Sequence, residues 1–304
     1  MDSKRKKEKK ILIVGTGALA TLFSARFASV GIAVTILGTW TNALDALQRD
    51  GACLIDSNGQ QESHAVRVMK ACEKTDIALV LVKSWQTTRV ARQLSKCLAP
   101  DGLAITLQNG LGNDEILASA LGVGRVVQGV TTTGAALVAP GVVQAGGEGL
   151  VSLETHPALG AFTALLTEAG FQFECVTSAA ALVWSKLVIN AAINPLTALL
   201  DIPNGALLER PSAKKLMGKI ALETAAVAAV QKIPLSFDDP VKVVESIAES
   251  TAKNFSSMLQ DVRRNAPTEI DAICGAIVNA GRKYGVPTPL NETMTALIKA
   301  RVAR

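Results

Sequence analysis

Lys186, Asn190 and Asn194 recur at intervals of four along Trp184-Ser185-Lys186-Leu187-Val188-Ile189-Asn190-Ala191-Ala192-Ile193-Asn194-Pro195, an otherwise apolar stretch. On a helix, positions i, i+4 and i+8 share one face, so the spacing predicts a polar stripe on a greasy helix. A lysine there is costly to bury unless something uses its charge. A cationic donor flanked by two amides suits a ligand with carbonyl, hydroxyl or carboxylate oxygens. A helix with one solvated face and no ligand has the same spacing, and the stripe alone leaves both readings open. The chain has only two histidines, His64 and His156, and neither sits in a motif. Acid–base chemistry therefore falls to a lysine or a carboxylate.

The elements that must position such residues begin near the N-terminus. Residues 10–14 read as a short buried strand, Gly15-Thr16-Gly17-Ala18-Leu19-Ala20 follows, and a helical run leads to a second strand at 33–37. This is a βαβ unit with the G-x-G-x-x-[GA] fingerprint of a dinucleotide-binding, Rossmann-type fold at its first turn. The first glycine permits the tight turn, the second lets backbone approach a pyrophosphate, and Ala20 is small enough for helix–strand packing. The helix-terminal N–H groups then face the phosphates. A tight strand–helix turn with no ligand would read alike. Strands at 76–82 and 102–107 end in Lys83 and in Gln108-Asn109-Gly110-Leu111-Gly112, and strands at 125–132 and 142–153 are expected to extend the sheet. Ligands bind beyond the carboxyl ends of such strands, where Lys83 and Asn109 stand. Lys83 also reads as an ordinary strand-end charge, and Asn109 as a turn residue before glycine.

After residue 178 the strands stop. Helices are expected at 179–200, 211–231, 241–249, 255–264, 269–284 and 292–302, punctuated by Pro195, Pro203, Pro234, Pro267 and Pro287. The fold class is therefore α/β: a basic tail over 1–10, expected to be disordered, a dinucleotide-binding domain over 11–178, and an all-helical domain over 179–304.

A chain of 304 residues with 49% hydrophobic content can build two sizeable cores. Most of the net charge of +5 comes from Lys4, Arg5, Lys6, Lys7, Lys9 and Lys10, set against Asp2 and Glu8. A body so near neutrality argues against a broad nucleic-acid surface. The longest charge-free run, 126–147, holds three threonines, Pro140 and several glycines, which is not the pattern of a membrane helix. A basic start before an apolar run mimics a secretory signal, but a strand entering a glycine turn explains that run better. The five cysteines, Cys53, Cys72, Cys97, Cys175 and Cys274, are odd in number and widely spaced, with no C-x-x-C pair. They point to a reducing, cytoplasmic setting, with neither a metal site nor a disulfide framework.

From Ile11 to about Arg301 the chain resembles the ketopantoate reductase (2-dehydropantoate 2-reductase) family. The motifs are Val82-Lys83-Ser84-Trp85-Gln86, Gln108-Asn109-Gly110-Leu111-Gly112, the Lys186-to-Ala198 segment, Pro203-Asn204-Gly205, and Ser256-Ser257-Met258-Leu259-Gln260-Asp261-Val262-Arg263 leading to Thr268-Glu269-Ile270-Asp271. The resemblance implies a helical domain like the C-terminal part of 6-phosphogluconate dehydrogenase. It implies NADPH-dependent reduction of the 2-dehydropantoate ketone to (R)-pantoate, on the route to pantothenate and coenzyme A. Lys186 would be the general acid. Asn190 and Asn194 would line the substrate pocket, with Asn204, Asn254 and Ser257 at the substrate's carboxylate and hydroxyl ends. Gly15, Thr16, Gly17, Ala18, Leu19 and Ala20 would cradle the cofactor. Lys83 would touch its adenosine phosphate, Asn109 would lie near nicotinamide and substrate, and Ala136 would offer a backbone contact. Glu269 would orient Lys186 and the nicotinamide ribose region.

The chemistry is coherent without the label, because hydride addition to a ketone develops alkoxide charge that an ammonium stabilises and then protonates. A free lysine, with a pKa of roughly 10.4, is charged at neutral pH and needs no upward tuning. Glu269 has a second reading: just after Pro267-Thr268, in a first helical turn, a carboxylate simply favours the helix dipole. The partner expected is a small molecule rather than nucleic acid or membrane, and a homodimer is left open. Two alternatives stand beside this reading, a reductase of another small 2-keto or 3-hydroxy acid and a non-catalytic NADP(H) sensor. The intact Lys186 and Glu269 argue against the sensor. One departure matters: Thr39 stands where NADPH-preferring relatives usually carry Arg, and no Asp or Glu ends the second strand. Lys83 is then the obvious cation for the 2′-phosphate.

Overall fold

The computed structural model describes residues 9–302. The chain forms two compact units, one from the residues up to Gln108 together with Asn113–Ala179, the other from Asn109–Gly112 together with the residues from Ala180 onward. Most of the expected basic tail lies outside the described residues. Its last two residues belong to the sheet unit: the Lys9 carbonyl accepts the Ala33 N–H (2.9 Å), the Lys9 ammonium pairs with Glu168, and Lys10 opens the first strand.

The sheet unit runs β1 (Lys10–Val14), α1 (Ala18–Ser29), β2 (Ala33–Leu37), α2 (Thr41–Asp50), β3 (Ala52–Ile55), β4 (Gln61–His64), β5 (Arg67–Met69), β6 (Thr75–Val80), α3 (Thr87–Leu94), β7 (Leu98–Thr106), α4 (Asn113–Leu121), β8 (Val126–Thr131), β9 (Ala135–Ala139), β10 (Val142–Ala145), β11 (Leu150–Glu154), α5 (Gly160–Glu168) and β12 (Gln172–Val176). Eight strands form the main sheet in the order β12-β11-β8-β7-β6-β1-β2-β5. The pairs from β5 through β8 are parallel, and β11 joins β8 antiparallel. Strand β1 shows why its continuous apolar run was needed. Ile11 and Ile13 pack into the core with Phe23 and Phe27 of α1, while Leu12 and Val14 pack into a second core with Ala78 and Val80. A parallel strand covered on both faces has no solvent side on which to alternate.

Two expectations about this unit change. Residues 142–153 are not one strand extending the sheet. They split into β10, which pairs with β3 and β9 in a separate four-stranded sheet, and β11, which returns to the main sheet. Gly146 packs so closely on Gly134 that a Cβ would meet its backbone at 2.9 Å, and the chain crosses between the sheets there. The cysteines are not all free thiols either. Cys72 and Cys97 form a disulfide with Cα atoms 5.7 Å apart. Their separation of 25 residues has no local signature, and parallel pairing of β6 with β7 brings the two segments together.

The helical unit comprises α6 (Ala180–Leu200), α7 (Pro211–Val230), α8 (Pro240–Ser250), α9 (Ser257–Arg263), a single π turn at Asp271–Gly275, α10 (Ala276–Tyr284) and α11 (Pro289–Val302). Its core gathers around α6, where Leu187, Val188, Ala191, Ala192 and Ile193 are all nearly or fully buried. Helix α6 has the length and composition of a membrane span, but its apolar face is this core. The helix expected over 179–200 is found at nearly that length, and Pro195, read as punctuation, does not break it. It sits inside α6, buried, leaving the Ala191 carbonyl without its i+4 donor, and just beyond it the Thr197 hydroxyl donates to the Ile193 and Asn194 carbonyls (3.0 Å each).

Candidate active site

In the sheet unit, the β1–α1 turn has the geometry that the glycine fingerprint calls for. Gly15 has φ +138°, and a Cβ there would lie 2.9 Å from the Leu81 carbonyl oxygen, so only glycine fits. Its N–H donates to the Leu37 carbonyl (2.8 Å), fastening the turn to the end of β2. Gly17 caps α1 with no side-chain hydrogen bond, and a Cβ there would meet nothing within 4 Å. The first-turn N–H groups of α1 have no intrahelical partner and no side-chain cap, and the positive end of the helix dipole faces the space beside Gly17. A rigid turn below and an open cradle above fit the pyrophosphate of a dinucleotide. Thr16 and Ala20 are buried under the turn, with Ala18 and Leu19 partly buried in the first turn of α1.

The carboxyl ends of β6 and β7 are tied together by a network that sequence reasoning did not read. Gln108 donates from Nε2 to the Val82 carbonyl (2.9 Å) and to Thr87 Oγ1 (2.8 Å), and Thr87 in turn donates to Asn113 Oδ1 (2.8 Å). Lys83, partly buried, follows Val82 directly, so this network sets its place. Ala136 lies exposed on β9 of the second sheet, with Gln144 of β10 as its pairing partner.

In the helical unit, Lys186, Asn190 and Asn194 do share one unbroken helix, α6, with Asn194 buried and the other two partly buried. Buried Glu269 interacts electrostatically with Lys186. Burial pushes the Lys186 ammonium down from 10.5 to about 8, and the Glu269 charge opposes the fall. The sequence asked for no upward tuning, and the shift found is downward. The group remains mostly protonated at neutral pH, yet it is poised to give its proton away.

Asn109 belongs with these residues. Its loop docks on the helical unit through Leu111 N–H to the Ala272 carbonyl (3.0 Å). Gly110, at φ +85°, passes so close that a Cβ would lie 2.4 Å from the same oxygen. Ala272 lies in the π turn just after Glu269, so Asn109 and Glu269 are anchored through one turn. Single π turns of this kind often mark functional sites.

Asn204 is buried. Its Nδ2 donates to Thr251 Oγ1 (2.9 Å), and its Oδ1 has no hydrogen-bond partner. A buried acceptor left unsatisfied costs free energy unless a ligand donates to it. Asn254 is exposed and joins Asn204 through backbone, the Asn204 N–H donating to its carbonyl (2.9 Å). Ser257 opens α9, while Ser256 caps that helix by accepting from the Leu259 N–H (3.1 Å), and its hydroxyl donates to Thr197 Oγ1 (2.7 Å). Thr197, Thr251 and Ser256 thus hydrogen-bond beside Asn204 and the start of α9, and the sequence reading gave none of them a role.

A glycine-turn parallel sheet and a helical unit carrying a tuned lysine–glutamate pair define a dinucleotide-dependent oxidoreductase of two-domain architecture. The profile for ketopantoate reductase PanE/ApbA matches residues 11–158, and that for the ketopantoate reductase PanE/ApbA C terminal matches residues 179–302. The chain belongs to the ketopantoate reductase family, whose cofactor is NADPH. It is 34% identical over 295 residues to a 2-dehydropantoate 2-reductase of Archaeoglobus fulgidus, covering 95% of this chain and 97% of that one. It is 30% identical over 300 residues to one of Halobacterium salinarum, covering 95% and 98%. Among solved structures, a PanE/ApbA family ketopantoate reductase from Ralstonia eutropha superposes with a TM-score of 0.89 at 28% identity, covering 96% of this chain and 98% of that one. A D-mandelate dehydrogenase with NADH and anilino(oxo)acetate superposes with a TM-score of 0.91 at 26% identity and the same coverage.

Proposed function

We propose that this enzyme reduces 2-dehydropantoate to (R)-pantoate with NADPH, with Lys186 as general acid. The observation that carries the reading is the Lys186 ammonium, held near a pKa of about 8 by burial beside Glu269 on the helix face it shares with Asn190 and Asn194. Bound NADPH supplies the hydride to the substrate's keto carbon. Lys186 Nζ donates to the keto oxygen, stabilises the alkoxide charge as it develops, and passes a proton to it. Glu269 keeps Lys186 charged and oriented. Asn190 and Asn194 position the substrate from the same face as Lys186. Asn204 Oδ1, buried and without a partner, accepts from the substrate's terminal hydroxyl, while Asn254 and Ser257 donate to its carboxylate. Asn109 completes the site from its loop on the π turn. Gly15 through Ala20 hold the pyrophosphate, Lys83 an adenosine phosphate, and Ala136 a backbone contact to the cofactor.

A second reading has one specific observation behind it, the likeness to an NADH-bound D-mandelate dehydrogenase. On that reading the same acid serves a 2-keto acid with an aromatic side chain. Steady-state cofactor oxidation with 2-dehydropantoate, phenylglyoxylate and smaller 2-keto acids, each with NADPH and NADH, separates the two. A kcat/KM highest for 2-dehydropantoate is expected, and a higher value for phenylglyoxylate overturns the assignment. A cytoplasmic location belongs to the same proposal, supported by free Cys53, Cys175 and Cys274. The Cys72–Cys97 bridge points the other way, and the thiol content of freshly lysed cells decides.

A further inference from the structure

In dinucleotide-binding folds the residue closing β2 faces the adenosine ribose. An acid there binds the 2′-hydroxyl of NAD, and a nearby arginine accommodates the 2′-phosphate of NADP. Here that position is Thr39, exposed, in Leu37-Gly38-Thr39-Trp40, and the first turn of α2 carries no acidic residue. The missing cation arrives from another element. Arg89 of α3 reaches across from 50 residues away, its Nη2 lying 3.4 Å from Thr39 Oγ1 and 3.3 Å from Gln86 Oε1. Both partners are neutral and both contacts long, and among the described residues no carboxylate pairs with this guanidinium. A guanidinium offers five N–H donors in a fixed fork, and these two contacts occupy only Nη2. Gln86 closes the short turn that follows Lys83, its N–H donating to the Lys83 carbonyl (2.8 Å). Arg89 and Lys83 are therefore carried on one continuous turn–helix segment.

We propose that Arg89, backed by the Thr39 hydroxyl and held by Gln86, binds the 2′-phosphate and sets the preference for NADPH over NADH. The determinant has moved from the end of β2 to α3, and the long contacts to neutral groups give way to charge-assisted, forked bonds to the phosphate. Lys83 becomes a supporting point charge rather than the principal grip. The assignment rests on the reading of the sheet unit as an NADPH-binding domain.

The test is equilibrium binding of NADPH and NADH, by calorimetry, to wild type, Arg89→Ala and Thr39→Asp, with folding checked by circular dichroism. Wild type is expected to bind NADPH more tightly than NADH. Arg89→Ala is expected to raise the NADPH Kd by about 10- to 100-fold, the range for a lost hydrogen bond to a charged group, with the NADH Kd within about twofold. Thr39→Asp, which repels the phosphate and offers Arg89 a carboxylate, is expected to reverse the preference. If wild type prefers NADPH but Arg89→Ala weakens both cofactors equally or neither, the 2′-phosphate site is elsewhere and the proposed function stands. If wild type binds neither cofactor, the proposed function falls and this site with it.

Discussion

Lys186 illustrates how much of the chemistry is set at the level of one residue. Its charge was legible as an expense in an apolar segment, but the size of the expense was not. Because the folded pKa lies near 8, below its value of 10.5 in an open chain, the folded protein binds fewer protons than the unfolded one between those limits. The ammonium therefore costs stability below about pH 8, and that cost is relieved as pH rises toward 10.5. Lys186→Met, which keeps the bulk and drops the charge, should be inactive and more stable at pH 7 by up to about 3 kcal/mol, measured by urea unfolding. Lys186→Ala should fold and lose about 10²–10⁴-fold in kcat, and near-normal turnover in the folded variant would sink its role. Reduction needs the protonated form, so wild-type kcat/KM should be level below pH 8 and fall as pH rises through it.

Glu269 raises the Lys186 pKa. Glu269→Gln should lower kcat/KM and move the falling limb of the pH profile to lower pH. A carboxylate serving only the helix dipole predicts something else, a stability loss of about 0.3–1 kcal/mol with an unmoved profile. Kinetics and melting on one preparation separate the roles.

At the scale of elements, the β1–α1 turn was the clearest signal, because glycine spacing and strand–helix order are local properties. The structure adds that its two glycines do different jobs. Gly15→Ala forces a Cβ against the Leu81 carbonyl at positive φ, so it should lower the melting temperature. Gly17→Ala places a methyl where the protein has nothing within 4 Å, so it should fold nearly as well as wild type and lose NADPH affinity. Equal melting temperatures and equal NADPH Kd values for the two variants would contradict this division of labour. Other elements were poorly legible. Strand β4, Gln61–His64, is polar and without alternation, and β3 has only four residues. Strand β3 is held by β10, far along the chain, and β4 exists because it pairs with β3 at the edge of that sheet. Helix α6 was read at nearly full length, yet Pro195 was taken as punctuation. A buried position packed on all sides tolerates one lost backbone bond that an isolated helix would not.

Across the whole molecule, the disulfide is the feature that composition argued against. Cys72 and Cys97 join the segments leading into β6 and β7. Lys83 and Gln108 follow those strands at their opposite ends. Closing a loop of this length stabilises by about 3 kcal/mol in the chain-entropy view. The Cys72→Ser/Cys97→Ser double variant should therefore melt several degrees lower and keep its NADPH Kd. A loss of cofactor affinity without a change in melting would show that the bridge acts on the site instead.

The sequence by itself determined the alternation of strand and helix, the change to all-helical structure near residue 178, the glycine turn, and the stripe of Lys186, Asn190 and Asn194. These depend on period and on neighbours a few positions away. Tertiary structure alone decided that Glu269 stands by Lys186, that the Asn109 loop leaves the strand it follows to dock on the π turn, that Asn204 keeps a buried acceptor open, that Cys72 meets Cys97, and that Arg89 reaches Thr39. Each of these joins residues far apart in the chain, and such pairings come from the packing of whole elements rather than from any local preference.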